Sequence, residues 1–222
     1  MMDKKAIKEL AMSLGADVVG VAATDRFASS PEGHSPVDKF PACRSVIVLG
    51  CTFPPQETLN LDTVSYTAIR NGMVEKLDSL AEQLSAELKT HKVRTKVFRS
   101  LGGKYEKNGG FYGNISMKHA AELAGLGVIG RNYLLCNDKY GNLLWFSTLL
   151  TDLELESDPL VNYSFCEGCT LCADSCPASA LDGKGNLDAK ACRKTCYIVS
   201  KGVLDLKCWK CREVCPQRFG YC

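Results

Sequence analysis

Four cysteines follow one another within eleven residues, separated by two, two and three positions. They are Cys166, Cys169, Cys172 and Cys176, and Pro177 comes directly after the last. Thiolates are soft ligands that suit iron–sulfur clusters. This spacing, with a proline after the fourth cysteine, is typical of a bacterial-type [4Fe–4S] site. The short spacings let one turn of chain wrap a cluster, and the proline ends the helix after the last ligand.

A second set of cysteines repeats this pattern, with a long insertion after its first member. It consists of Cys192, Cys208, Cys211 and Cys215, and Pro216 follows. In two-cluster ferredoxins the fourth cysteine of a run binds the other cluster. We therefore predict a first cluster held by Cys166, Cys169, Cys172 and Cys215. The second is then held by Cys192, Cys208, Cys211 and Cys176.

Zinc and disulfides are the competing explanations for so many cysteines. Zinc sites usually pair two CxxC motifs across a longer gap, and disulfides do not persist in a reducing cytosol. A radical-SAM site needs CxxxCxxC, which the sequence does not contain. We expect the remaining cysteines to be inert, although Cys136 could face a site and Cys196 lies one helical turn beyond Cys192. They are Cys43, Cys51, Cys136, Cys196 and Cys222.

The composition excludes several classes of protein. Ten of the thirteen cysteines lie between Cys166 and Cys222, and 27 basic against 25 acidic residues give the 222-residue chain a net charge of +2. That balance indicates no basic surface for nucleic acid or an anionic membrane. No apolar run reaches the ~20 residues of a membrane-spanning helix, and the first residues have no signal-peptide pattern. We expect a cytoplasmic protein without membrane association.

Hydrophobic periodicity predicts mixed helices and strands before the cysteine-rich part. Helices are predicted at 3–14, 64–88 and 117–124, the last capped by Ser116. Strands are predicted at 18–22, 45–49, 93–98 and 143–150, with loops at 26–41 and 102–114. We predict an α/β (α+β) domain for the cofactor and substrate over residues 1–158. A double-cluster domain, organised by its metal, then covers residues 159–222.

A glycine turn and a glycine-rich loop are the other unusual features. Residues 125–130 match GxGxxG, but a predicted helix precedes them, whereas a dinucleotide-binding motif follows a strand. We favour a helix stop and a tight turn over a nucleotide site. In the loop over 102–113, Tyr105 and Tyr112 are candidate proton donors, although such a loop is as often plain surface. The histidines, His34, His91 and His119, form no cluster in the sequence.

The sequence resembles the epoxyqueuosine reductase family. Its segment from Ser116 to Asn132, which ends in AGLGVIGRN, looks like that family's AGLGxxGKN region, and both cysteine sets match its double-cluster domain. The resemblance implies a nitroreductase-like domain holding a base-off cobalamin, followed by a ferredoxin-like domain with two [4Fe–4S] clusters. Corrinoid-dependent reductive dehalogenases are similar in architecture. The resemblance places five residues near the cofactor: Gly125, Gly127, Gly130, Arg131 and Asn132.

The sequence departs from the family pattern at three points. It ends at Cys222, without the helical-repeat region that helps such enzymes hold tRNA. Asn71-Gly72-Met73 stands where the family has Asp-Tyr-His, and no acidic residue comes just before Met117. We therefore expect a relative that does not act on tRNA.

Two functions are compatible with these features. The first is an iron–sulfur oxidoreductase that takes electrons from an external ferredoxin- or flavodoxin-type donor. Both clusters then pass them to a corrinoid, or to a flavin as second choice, which reduces a small substrate. The alternative is an electron-transfer or activator protein that reduces a partner, for example a corrinoid protein. The large first domain favours the oxidoreductase, since a carrier has no need of it, and the cofactor rests on fold analogy.

Overall fold

The computed structural model describes residues 2–54, 61–101, 104–105, 111–200 and 203–220. The helices are Lys4–Ser13 (α1), Pro36–Lys39 (α2), Thr63–Thr90 (α3), Met117–Leu123 (α4), Leu171–Asp174 (α5), Ala189–Cys196 (α6) and Lys210–Glu213 (α7). The strands are Val18–Ala23 (β1), Ser45–Thr52 (β2), Thr95–Phe98 (β3), Lys104–Tyr105 (β4), Phe111–Tyr112 (β5), Val128–Ile129 (β6), Leu135–Cys136 (β7), Leu144–Thr151 (β8), Tyr197–Ser200 (β9) and Val203–Leu206 (β10).

A four-stranded antiparallel sheet in the order β1-β2-β8-β3 forms the centre of the first part of the chain. Side chains of β2 alternate between two apolar clusters, as the pleat of a strand requires. Ile47 and Leu49 pack against α1 and α3, whereas Val46 and Val48 pack against α4. The sheet is therefore covered on both faces, which explains the continuous apolar run in β2.

Helix α3 is the longest element and follows its predicted periodicity. Asp62 caps its start by accepting a hydrogen bond from the Ser65 backbone N–H at 2.9 Å. Leu77, Leu84 and Leu88 are buried at helical spacing against the sheet. The prediction of a helix over 64–88 is confirmed, with ends one and two residues further out.

The prediction of a loop over 26–41 was wrong, whereas Ser116 is the N-cap residue of α4 as predicted but makes no capping hydrogen bond through its side chain. The segment 26–41 is not all loop, because a 3₁₀ turn covers Thr24–Phe27 and α2 begins at Pro36. Ser35 caps α2 in a capping box with Asp38, a short-range signal that the apolar pattern does not contain. The Ser116 hydroxyl instead lies 2.6 Å from Nδ1 of His119, a competing local bond.

The cysteine-rich part packs directly on the sheet-bearing part. The ring of Trp209 stacks on Tyr66 of α3 with centroids 4.0 Å apart and an interplanar angle of 2°. The Leu206 backbone N–H donates to Thr67 Oγ1 at 2.9 Å. Asp158, at the predicted domain boundary, accepts hydrogen bonds from Lys8 Nζ at 2.8 Å and the Val21 N–H at 2.9 Å. The division at residue 158 stays a prediction.

No helix within the described ranges combines the length and the apolar character needed to cross a membrane.

Candidate iron–sulfur site and adjoining cavity

The two cysteine runs fold in the same way around two one-turn helices. In α5, Cys172 is the second residue, Cys169 lies two residues before the helix, and Cys176 lies two residues after it. In α7, Cys211, Cys208 and Cys215 occupy the same three positions. In each run a proline follows the last cysteine and prevents the helix from continuing. The repeat in the sequence is therefore a repeat in local structure.

The remaining cysteine of the second set is placed by α6. Asp188 caps this helix by accepting a hydrogen bond from the Ala191 N–H at 2.9 Å. Cys192 then lies one turn into the helix. The long insertion that follows contains the paired strands β9 and β10, which lead the chain back to Cys208.

The thiols of the first predicted cluster act on one another electrostatically. Burial raises the pKa of Cys166, and the charges of Cys215 and Cys169 raise it further. The pKa of Cys172 is also raised, first by burial and then by Cys166 and Cys169. The charge of Cys215 thus acts on a thiol of the first run, although Cys215 ends the second run.

The thiols of the second predicted cluster show the reciprocal arrangement. Burial raises the pKa of Cys211 to about 11, and the charges of Cys192, Cys208 and Cys176 contribute in the same direction. The charge of Cys176 thus acts on a thiol of the second set, although Cys176 ends the first run. The crossed membership is the one that the spacing predicts, and the assignment of ligands stays a prediction.

The eight predicted ligands are all thiols, and four thiolates for each cluster are a donor set whose chemistry fits [4Fe–4S]. Within the described part of the chain, no three side chains of His, Cys, Asp or Glu form a group that could hold a single metal ion.

The predicted cofactor residues Gly125, Gly127 and Gly130 lie in a tight turn. Gly125, at φ +71°, ends α4 against the carbonyl of Pro159, which a Cβ would approach to 2.2 Å. Gly127, at φ +151°, meets the carbonyl of Cys136 at the same separation. A side chain at either position would collide with backbone. The motif follows a helix and contains the short strand β6, so the strand–turn–helix context of a dinucleotide site is not found.

Arg131 and Asn132 connect this turn to both cysteine runs. The Arg131 N–H donates to Cys166 Sγ at 3.4 Å, and its guanidinium donates to the Cys169 carbonyl at 3.1 Å. Asn132 donates through Nδ2 to the Cys211 carbonyl at 3.4 Å. Hydrogen bonds to ligand sulfur are one means by which a protein tunes a cluster. These two residues therefore border the predicted clusters, and their cofactor role stays a prediction.

A cavity of about 750 Å³ lies between α4 and the second cysteine set. Cys176, Cys192, Cys208 and Cys211 form part of its wall. Asn132, alone among the five predicted cofactor residues, lines it as well. The wall also contains polar residues of α4 and apolar side chains, among them Phe27, Ile115 and Leu187. The cavity therefore has both polar and apolar walls, and it borders the predicted ligands of the second cluster.

Lys118 and His119 line the cavity, although sequence reasoning assigned neither of them a function. Lys118 donates to the Tyr133 carbonyl, and its Nζ lies 4.0 Å from the Tyr133 ring centre. Burial lowers the pKa of Lys118 to about 8, and the charge of Cys211 opposes this shift. Burial also lowers the pKa of His119, against the opposing charge of Glu122. In the sequence these two residues appear only as neighbouring basic residues in a short helix that also contains two alanines.

The described cysteines outside the predicted ligand set fall into two kinds. Cys43 and Cys51 are buried in the sheet layer, and burial raises the pKa of both, that of Cys43 to about 11. Cys136 and Cys196 instead lie beside predicted ligands. Cys136 shares a hydrogen bond with Cys215 that lowers the pKa of Cys215 to about 6. The Cys192 thiol donates to Cys196 Sγ at 4.0 Å.

The candidate proton donors Tyr105 and Tyr112 lie in the paired strands β4 and β5. Their side chains, most of the intervening loop and Cys222 lie outside the described residues.

Known proteins similar to this chain share both its cluster motif and its fold. Residues 159–182, which contain the whole first cysteine run, match the family described as 4Fe-4S binding domain. The epoxyqueuosine reductase of Pseudomonas aeruginosa is 36% identical over 110 residues, or 45% of this chain and 30% of that enzyme. The one from Bacillus subtilis is 24% identical across 98% of this chain and 64% of its own length. The chain is a relative of the epoxyqueuosine reductases. It spans between 30% and 64% of the length of these two relatives.

Solved structures extend the relationship to the fold. An epoxyqueuosine reductase from Streptococcus thermophilus matches with a TM-score of 0.67 at 22% identity, over 99% of this chain and 67% of that one. A reductive dehalogenase, described in connection with B12-dependent dehalogenation, matches with a TM-score of 0.67 at 19% identity, over 96% and 32%. This relative of the epoxyqueuosine reductases therefore has their mixed α/β fold with a ferredoxin-like part at its end, as predicted.

Proposed function

We propose that this chain is an iron–sulfur reductase in which two [4Fe–4S] clusters deliver electrons to a cofactor and substrate held in the cavity. The cavity wall carries the proposal, because the four predicted ligands of the second cluster, Cys176, Cys192, Cys208 and Cys211, all contribute to it. A cluster bound by these thiols would stand directly beside whatever the cavity holds. The close approach of donor and acceptor is what an electron-delivering site requires.

The first cluster is the entry point for electrons in this proposal. Its predicted ligands Cys166, Cys169, Cys172 and Cys215 are absent from the described part of the cavity wall. Its predicted ligand Cys215 lies two residues after α7, the helix that carries Cys211 of the predicted second cluster, which supports this order. An external ferredoxin- or flavodoxin-type donor would reduce the first cluster, and the second would pass the electrons to the cavity.

A corrinoid is the cofactor that we assign to the cavity, with a flavin as second choice. The structural relationship to a B12-dependent dehalogenase supports it. The apolar wall around Phe27, Ile115 and Leu187 suits the face of a large planar ring. Asn132 and Lys118 offer polar groups at its edge. When bound, a corrinoid supplies a strongly reducing metal centre.

Reduction of a substrate also needs protons, and His119 is placed to supply them. Its Nδ1 is bonded to Ser116 Oγ, and the residue lines the cavity. This bond fixes the imidazole, so that its other nitrogen can hold a proton toward a bound substrate. One solved epoxyqueuosine reductase is described with a modified tRNA stem loop. We propose a small substrate for this chain, because its net charge of +2 offers little attraction for RNA.

The test is reconstitution without oxygen using iron, sulfide and cobalamin, followed by desalting and a spectrum. We expect about eight irons per chain and retained corrinoid absorbance. Leu187→Trp, which fills the cavity, should reduce corrinoid retention and leave the iron content unchanged. Leu160→Trp places the same ring on a side chain that is 55% exposed and outside the cavity, and should retain the corrinoid. Full iron content without corrinoid in the unaltered chain would favour the electron-transfer alternative.

A further inference from the structure

Arg212 is a buried arginine that lies between predicted ligands of the two clusters, Cys211 and Cys215. It lies in α7, one residue after Cys211 and three before Cys215, and only 6% of it is exposed. Its backbone N–H donates to the Trp209 carbonyl at 2.9 Å. Its own carbonyl accepts a hydrogen bond from Asn142 Nδ2 at 3.1 Å. The residue is therefore held at both its backbone groups.

The guanidinium of Arg212 lies among aromatic rings rather than carboxylates. Its carbon is 5.6 Å from the ring centre of Phe53 and 5.9 Å from that of Trp145. Tyr66 is a hydrogen-bond partner, and Nη1 has no partner among the described residues. None of the ion pairs of the described residues includes Arg212. A buried charge is costly unless an opposite charge compensates it, and aromatic faces compensate only in part.

Arg212 stands between predicted ligands of both clusters. Cys211, which directly precedes it, is a predicted ligand of the second cluster, and Cys215, three residues further on, is a predicted ligand of the first. The charge that could compensate the buried guanidinium and its Nη1, which has no partner among the described residues, is therefore the negative charge that four thiolates bring to each cluster.

We propose that Arg212 is the shared counter-charge of the two clusters and raises the reduction potential of both. The inference rests on the two-cluster arrangement of the proposed function. A cluster that accepts one electron from the external donor becomes more negative by one charge. A fixed cation beside its ligands favours that reduced state. Arg212 acts through the ligands and is a positioning residue.

The experiment compares Arg212→Met, Arg212→Lys and Arg94→Met in the reconstituted full chain. Iron content is measured first, and the potential of each cluster then follows from a redox titration monitored by electron paramagnetic resonance. Arg212→Met keeps the length and apolar stem of the side chain and should lower both potentials. Arg212→Lys keeps the charge and should stay close to the unaltered protein. The side chain of Arg94 is 70% exposed and paired with Asp152, so its loss should shift neither potential.

Each outcome decides for or against the counter-charge. Unchanged potentials in Arg212→Met at full iron content would overturn it, as would equal shifts in the methionine and lysine variants. Loss of iron in the methionine variant alone would support it, because the charge would then be needed for the clusters to bind. Loss of iron in both variants would overturn it in favour of packing. An unaltered chain that binds about four irons or fewer would contradict the two-cluster proposal instead.

Discussion

Helices α5 and α7 have the same length and carry their cysteines at the same positions, yet their surroundings differ. Thr170 precedes α5 at the surface, whereas Trp209, at the same position before α7, stacks on Tyr66. Ala173 follows Cys172, whereas the buried Arg212 follows Cys211. The first run lies on the outside of the molecule, with Leu171 47% exposed. The second run is inserted into the sheet-bearing part.

This difference shows that the cysteine spacing and the neighbouring residues determine different properties of each site. The spacing determines how each one-turn helix presents its thiols, and it is the same in both runs. The neighbouring residues determine what each site can do. Two cysteines of the second run, Cys208 and Cys211, line the cavity, whereas only Cys176 of the first run does. A single repeated motif thus serves as both the entry and the exit of the proposed electron path.

The crossing of ligands between the runs gives the largest expected effect. Cys215→Ser should damage the first cluster, because Cys215 is its predicted fourth ligand. Cys176→Ser should damage the second, because Cys176 is its predicted fourth ligand. Each variant should lose about four of about eight irons. Iron analysis and the paramagnetic signal of the surviving cluster provide the measurement. If Cys215→Ser removes only the second cluster, the runs do not exchange ligands, and each run binds its own cluster.

The next prediction concerns which of Cys192 and Cys196 binds the second cluster. Replacing the true ligand should cost a similar amount of iron, but only from that cluster. The two sulfurs are 4.0 Å apart on α6, and both residues line the cavity. Cys192→Ser should remove about four irons because it is the predicted ligand. Cys196→Ser changes the same element by the same chemistry and should keep the full iron content. The reverse result would make Cys196 the ligand and shift the second site by one helical turn.

The parts of the structure that the sequence predicted are those governed by local pattern. The thiol spacing, the apolar stripe of α3 and the alternating faces of β2 are each contained in a short stretch of chain. Arg212 could not be predicted in this way. It appears as one charged residue in a polar helix, and its burial depends on Phe53 and Trp145 from distant strands. Lys118 likewise gains its place in the cavity wall from the packing of α4 against the cysteine-rich part.

Replacing Trp209 of the second run by its counterpart in the first should lower the free energy of unfolding and leave the iron content unchanged. Trp209→Thr replaces the stacked ring with the residue found at the same position of the first run. We expect a loss of about 2–3 kcal/mol, because the contact with Tyr66 is removed. The converse variant, Thr170→Trp, lies at the exposed run and should change stability little. Thermal unfolding of the reconstituted proteins measures both. Equal effects would show that the two positions do not differ in burial as the structure indicates.

The smallest expected effect concerns the link between the glycine turn and the second run. Asn132 is buried and donates to the Cys211 carbonyl at 3.4 Å, while its Oδ1 accepts from the Leu134 N–H at 3.0 Å. Asn132→Ala should lower stability by about 1 kcal/mol, which corresponds to a fall of about 2–4 °C in the unfolding midpoint. Asn132→Asp keeps the acceptor for Leu134 and loses the donor to Cys211. If the aspartate variant is as stable as the unaltered protein, the link to Cys211 contributes nothing. The turn would then be held by its other contacts, among them the hydrogen bonds of Arg131 to Cys166 and Cys169.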